Sequence, residues 1–178
     1  MDSKAEVRKK MRELKRQLGT DEKLRRSESV MEKVSALEAF RRAGVVLLYW
    51  SMADEVQTHS FVERWYREKT VLLPCVDGND LRLRQYTGPG CLVAGEQFGI
   101  GEPTGPEWTD LDAVELIVVP GVAFDRNGNR MGRGRGFYDR MLKSAHKAVK
   151  VGVCYSFQLL DSIPVEEFDV PMDHIIHD

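Results

Sequence analysis

From Val118 to Leu142 the chain reads VVPGVAFDRNGNRMGRGRGFYDRML, with glycines at 132, 134 and 136 alternating with Arg133 and Arg135 just ahead of a helical pattern. Glycine lets backbone N–H groups approach an anion closely, the N-terminus of the following helix adds partial positive charge, and Arg130, Arg133 and Arg135 add full charges. Such a loop suits a polyphosphate better than a neutral ligand. Its spacing matches neither Gly-x-Gly-x-x-Gly nor the Gly-x-x-x-x-Gly-Lys-Ser/Thr pattern, so it implies neither a dinucleotide fold nor a common NTPase. An RNA-binding arginine-glycine tract is disfavoured, because such tracts sit in polar disordered sequence and this one adjoins apolar structure.

Four other groups could do chemistry. Lys4 and Arg8 lie one helical turn apart, beside Val7 and Met11, and at the edge of a buried stripe they need a partner. A bound triphosphate and a pair of acidic side chains are equally good candidates. Asp139 follows the glycine loop closely enough to hold Mg²⁺ on phosphates, or it bridges Arg135 at i,i+4. Glu55, in the polar loop Ser51–Thr58, could accept paired hydrogen bonds from a ring with adjacent N–H donors, or be an exposed acid ahead of a helix. His174 and His177 suggest a metal only weakly, lacking further ligands nearby.

Periodicity gives the helices and strands that carry these residues. Ser3-Lys4-Ala5-Glu6 has the form of a capping box, and Val7, Met11, Leu14 and Leu18 continue at helical spacing until Gly19. A second helix starts at Thr20 or Asp21, with Leu24, Met31, Val34 and Leu37 as its inner stripe, and ends before Gly44. Val45–Trp50 reads as a buried strand, Thr58 caps a third helix, and Val71–Pro74 is the next strand. After the turn Asp77–Asp80, the alternation in LRLRQY predicts an antiparallel return, so the sheet is mixed. Further strands are expected at 116–119, 151–155 and 175–176, giving one three-layer α/β domain over residues 1–178.

Composition agrees with that class. Of the 178 residues 42% are hydrophobic and 30% charged, which excludes a disordered or fibrous chain. Net charge is −2, but residues 1–42 carry 13 Lys/Arg against 8 Asp/Glu, an asymmetry that a solvated helical face explains as well as a functional one. The start MDSKAEVRKK has no apolar stretch, and the longest apolar run, Val45–Trp50, is too short to span a bilayer; a cytoplasmic protein is expected. Cys75, Cys91 and Cys154 are scattered and read as reduced interior thiols.

Lys4-x-x-x-Arg8, SMADEVQT, Gly99-Ile100-Gly101-Glu102-Pro103 and VVPGVAFDRNGNRMGRGRGFYDR together resemble the 5-formyltetrahydrofolate cyclo-ligase, or methenyltetrahydrofolate synthetase, family. The resemblance implies a Rossmann-like three-layer sandwich with a mixed, mostly parallel sheet. It also implies ATP- and Mg²⁺-dependent closure of 5-formyltetrahydrofolate to 5,10-methenyltetrahydrofolate, with phosphorylation of the formyl oxygen and attack by N10. By the same resemblance Lys4, Arg8 and the run Arg130, Met131, Gly132, Arg133, Gly134, Arg135, Gly136, Phe137 and Tyr138 bind ATP. Arg133 to Phe137 also meet the folate together with Trp50 and Glu55, Arg133, Arg135 and Tyr138 act in catalysis, and Asp139 and Asp173 serve Mg²⁺. The partners expected are these small molecules, with no nucleic acid and no membrane, and the protein is expected to be a monomer. Two competing readings are a sugar-phosphate isomerase or acyl-transfer enzyme of similar architecture, which needs no ATP, and a non-catalytic folate or nucleotide sensor, which returns its ligand unchanged.

Overall fold

The computed structural model describes residues 1–94 and 101–178. Three helices come first, α1 (Lys4–Arg16), α2 (Thr20–Ala36) and α3 (Glu38–Arg42), followed by β1 (Val45–Leu47) and α4 (His59–Trp65). Next are β2 (Thr70–Asp77), β3 (Asp80–Gln85), β4 (Leu92–Ala94), β5 (Gly101–Pro103), β6 (Glu107–Trp108) and β7 (Leu116–Val119). The chain continues with β8 (Ala123–Asp125), β9 (Arg130–Met131), α5 (Phe137–Ser144), β10 (Val149–Cys154), β11 (Leu159–Leu160) and β12 (His174–His177).

Seven strands form the main sheet in the order β12-β10-β7-β1-β2-β3-β6. From β12 to β2 the pairing is parallel, and the antiparallel return at β3 is the one the alternation predicts. It turns through Gly78 at φ +61°, a conformation that glycine adopts without strain. Successive residues of the central strands bury opposite faces. Val46, Val71, Leu116 and Val118 pack with Val30, Phe40 and Val62 of α2, α3 and α4. Leu47, Leu72, Ile117 and Val119 pack with Met141 and Leu142 of α5. Helix, sheet and helix are therefore the three layers. A buried Leu or Ile at these positions is worth about 2–5 kcal/mol against truncation to Ala.

α1 lies outside this sandwich. Its Val7 and Met11 form a separate small core with Ala123, Met131 and Ile163, over the three-stranded sheet β11-β8-β9. That small sheet escapes a sequence reading because its strands are two or three residues long. The β8–β9 hairpin closes at the expected Asp125–Gly128 turn, where Asp125 Oδ1 accepts from the N–H groups of Asn127 and Asn129.

Several local expectations differ from the structure; the strand expected over Val45–Trp50 pairs as β1 only over Val45–Leu47. The second helix breaks at Leu37, which is extended (φ −64°, ψ 133°), and restarts as α3 so that Phe40 reaches the core at 0% exposure. Leu24 is 47% exposed, since the buried face of α2 begins only at Ser27. Thr58 precedes α4, but its hydroxyl donates to the Tyr49 carbonyl and makes no cap. That bond, together with the one from Thr58 N to Ser51 Oγ, ties the ends of the Ser51–Thr58 loop together.

Candidate active site

Strand order reverses direction between β1 and β7: the chain runs from β1 outward to β2, and from β7 outward the other way to β10 and β12. Loops leaving the C-terminal ends of two such strands diverge and leave a crevice, where open α/β sheets bind ligands. Here it is a cleft of about 550 Å³, lined by Tyr49, Trp50 and Glu55 after β1 and by Pro120, Gly121 and Val122 after β7.

The glycine-arginine loop forms one wall. Gly134 has φ +106° and Gly136 φ +71°, left-handed conformations that strain any residue with a side chain. Gly136 directly precedes α5, which puts the helix's unpaired N–H groups at the cleft. Arg130 is buried, donates from Nε to the Pro120 carbonyl at 2.7 Å and lies over the Tyr138 ring. Burial depresses its pKa, and Asp139, with Oδ1 4.0 Å from Nη1, acts in the opposite direction. Met131 is buried beneath the loop and Phe137 lies near both Arg135 and Arg140. Burial also pushes Tyr138 well above the ordinary phenol range.

α1 supplies the second group of cations. Arg8 donates from Nε to the Gly132 carbonyl at 3.0 Å, so it braces the loop directly. Lys4 is paired with acids, 3.4 Å from both Glu166 Oε1 and Asp169 Oδ2. Of the two alternatives open for Lys4, this structure has the acidic pair. All three side chains nonetheless line the same cleft, so a phosphate could compete for the ammonium.

On the opposite wall, Trp50 is stacked on His59 with ring centroids 3.9 Å apart and an interplanar angle of 9°. A Cβ on Gly101 would stand 3.0 Å from Trp50 Cδ1, so that motif glycine gives the indole its space. Gly99 and Ile100 of the same motif lie outside the described residues. Glu55 Oε1 accepts from Met52 N at 2.8 Å, and burial raises its pKa. Between the walls, Arg133 Nη2 donates to Asp54 Oδ1 at 2.9 Å.

Thus Lys4, Arg8, Trp50, Glu55, Asp139 and the whole run Arg130–Tyr138 come together in one cleft. Asp173 does not. It sits at the N-terminal end of β12, where Oδ2 accepts from Lys150 N at 2.8 Å, away from the strand ends that form the cleft. Asp169, with its side chain 10% exposed, lines the cleft instead. Asp139 pairs with Arg130 and not with Arg135, and among the described residues no three His, Cys, Asp or Glu side chains are grouped to hold a metal by themselves. Sequence reasoning missed Glu166, Phe168 and Asp169, whose one signal is an acidic run between Pro164 and Pro171. It also missed Lys15, which shares the helix face of Lys4 and Arg8 within about 40°.

A model of the 5-formyltetrahydrofolate cyclo-ligase family matches residues 1–178. The chain belongs to that family. It is 30% identical to the 5-formyltetrahydrofolate cyclo-ligase of Haemophilus influenzae over 96% of this chain and 95% of the relative. The structure resembles that of 5,10-methenyltetrahydrofolate synthetase from Aquifex aeolicus, with a TM-score of 0.87, 39% identity, and 97% of this chain and 88% of the other covered. The Mycoplasma pneumoniae synthetase shares the fold at a TM-score of 0.80 and 23% identity, over 100% and 99% of the two chains. Membership in the cyclo-ligase family makes the chain an enzyme, and the two solved structures share the α/β architecture expected from the sequence. No helix among the described residues is long and apolar enough to cross a membrane.

Proposed function

We propose that residues 1–178 form one catalytic domain that closes 5-formyltetrahydrofolate to 5,10-methenyltetrahydrofolate, using ATP and releasing ADP and phosphate. The observation that carries this reading is the joining, in a single cleft, of a cationic glycine loop at a helix N-terminus with an aromatic and carboxylate wall. The first wall suits a triphosphate and the second a pterin ring, with Trp50 lying against it and Glu55 accepting from its N–H donors.

A formamide oxygen is a poor leaving group. The formyl oxygen therefore attacks the γ-phosphorus, the bond to ADP breaks, and the oxygen becomes a phosphate ester on an iminium carbon. N10 then attacks that carbon, loses its proton, and the tetrahedral intermediate expels phosphate to give the methenyl product. Phosphoryl transfer asks mainly for positioning and charge neutralisation. Arg133, Arg135 and the α5 N–H groups receive the phosphate oxygens, Arg8 holds the loop through Gly132, and Tyr138, a phenol that burial moves still further from ionisation, serves as a neutral donor. Mg²⁺ typically needs only one or two protein carboxylates in addition to phosphate oxygens. Asp139 and Asp169 fit that requirement because both line the cleft, and a metal held there would offset charge on the β- and γ-phosphates.

Purified protein given ATP, Mg²⁺ and 5-formyltetrahydrofolate is expected to form the methenyl product, seen by its longer-wavelength absorbance, and only when ATP is present. Product formed without ATP consumption would favour a different reaction, and folate recovered unchanged would favour a sensor.

A further inference from the structure

Arg133 stands between Gly132 and Gly134, so its own backbone does little to fix the guanidinium. What does fix it is the 2.9 Å bond to Asp54, 79 positions away in sequence on the Ser51–Thr58 loop whose Met52 and Glu55 line the other wall of the cleft. The second carboxylate oxygen of Asp54 faces Lys15, 3.9 Å away on α1. Lys15 is only 6% exposed, and among the described residues Asp54 is its one ion-pair partner within 4.0 Å. Two cations from separate elements therefore meet on one carboxylate, next to Glu55 in sequence.

We propose that Asp54 is a positioning residue for the cyclisation: it aims Arg133 across the cleft and thereby locks the phosphate wall to the folate wall. This inference rests on the ATP-dependent reading above. Arg133 is one of the residues expected to meet both substrates, and a guanidinium free to rotate on a glycine-flanked loop would lose part of its binding in reorientation. Burial pushes Asp54 upward, but Lys15 and Arg133 outweigh it and hold the carboxyl below its ordinary value. The bond is thus charge-assisted at neutral pH. Lys15 keeps the carboxylate from following Arg133 outward.

A double-mutant cycle between positions 54 and 133 tests this, read as kcat/KM for folate at saturating ATP and Mg²⁺. Removing Asp54 alone leaves a buried ammonium unpaired and could harm the fold, so the cycle is run with Lys15 in place and again on Lys15→Met. In both backgrounds Asp54→Asn is expected to lower kcat/KM about tenfold when Arg133 is present. With Arg133→Ala the further loss from Asp54→Asn should be under about twofold. Equal losses with and without Arg133, or a lower thermal midpoint at unchanged kcat/KM, would overturn the proposal. No turnover in the unsubstituted protein would overturn instead the cyclo-ligase reading on which it rests.

Discussion

Adjacent carboxylates on the Ser51–Thr58 loop are driven in opposite directions. Asp54 is held down by two cations, whereas at Glu55 burial dominates, opposed by the hydrogen bond from Met52 N, and the carboxyl rises above its usual 4.5. To accept from pterin N–H groups Glu55 must be ionised, so folate KM is expected to rise as pH falls through this raised pKa. For the ligand-free protein the sign is opposite: a raised carboxyl stabilises the fold when protonated, and that contribution is lost as pH rises through the folded pKa. Glu55→Gln should remove both dependences, leaving a high, flat folate KM and an almost unchanged KM for ATP. Folate KM and thermal midpoint measured against pH for the two proteins check this, and a selective ATP defect would contradict it.

Among the elements, α1 brings two cations, Lys4 and Arg8, to the cleft from one short helix. Its capping box is complete, with Ser3 Oγ accepting from Glu6 N and Glu6 Oε2 accepting from Ser3 N. Val7 and Met11 seat the helix on the small sheet, and Lys4 and Arg8 then reach the cleft. Ser3→Ala should cost about 1 kcal/mol, or roughly 2–4 °C in Tm for a chain of this size. Because fraying starts at the end that bears Lys4, KM for ATP should rise more than KM for folate. Steady-state kinetics on each substrate check this; a folate-selective change would place α1 on the wrong side of the cleft. The cap, the stripe and the pair of cations are all local patterns and were legible in sequence. That Lys4 meets Glu166 and Asp169 was not, because those partners come from a segment more than 160 residues away whose path is fixed by β12 joining the sheet edge.

At the scale of the whole molecule, the strands of the main sheet were readable wherever they bury both faces, as Val71–Leu73 and Leu116–Val119 do. Six-residue Val45–Trp50 was legible as a strand, but not the departure of Tyr49 and Trp50 from the ladder to line the cleft. Strand order, and with it the reversal between β1 and β7 that opens the cleft, depends on non-local pairing that no single segment encodes. The same limit explains Asp173: it lies close to Asp169 in sequence, yet its place at the start of β12 turns it to the Lys150 backbone and away from the cleft. The family resemblance gave the chemistry, whereas the geometry gave the residues that brace it. In the proposed reaction ATP activates the formyl oxygen by phosphorylation, and an isotope label reads this directly. With ¹⁸O in the formyl group, a single turnover with ATP and Mg²⁺ should deliver the label to inorganic phosphate, one labelled phosphate for each methenyl product. Label released into water, with unlabelled phosphate formed alongside, would show that ATP hydrolysis and ring closure are separate events and would contradict the account.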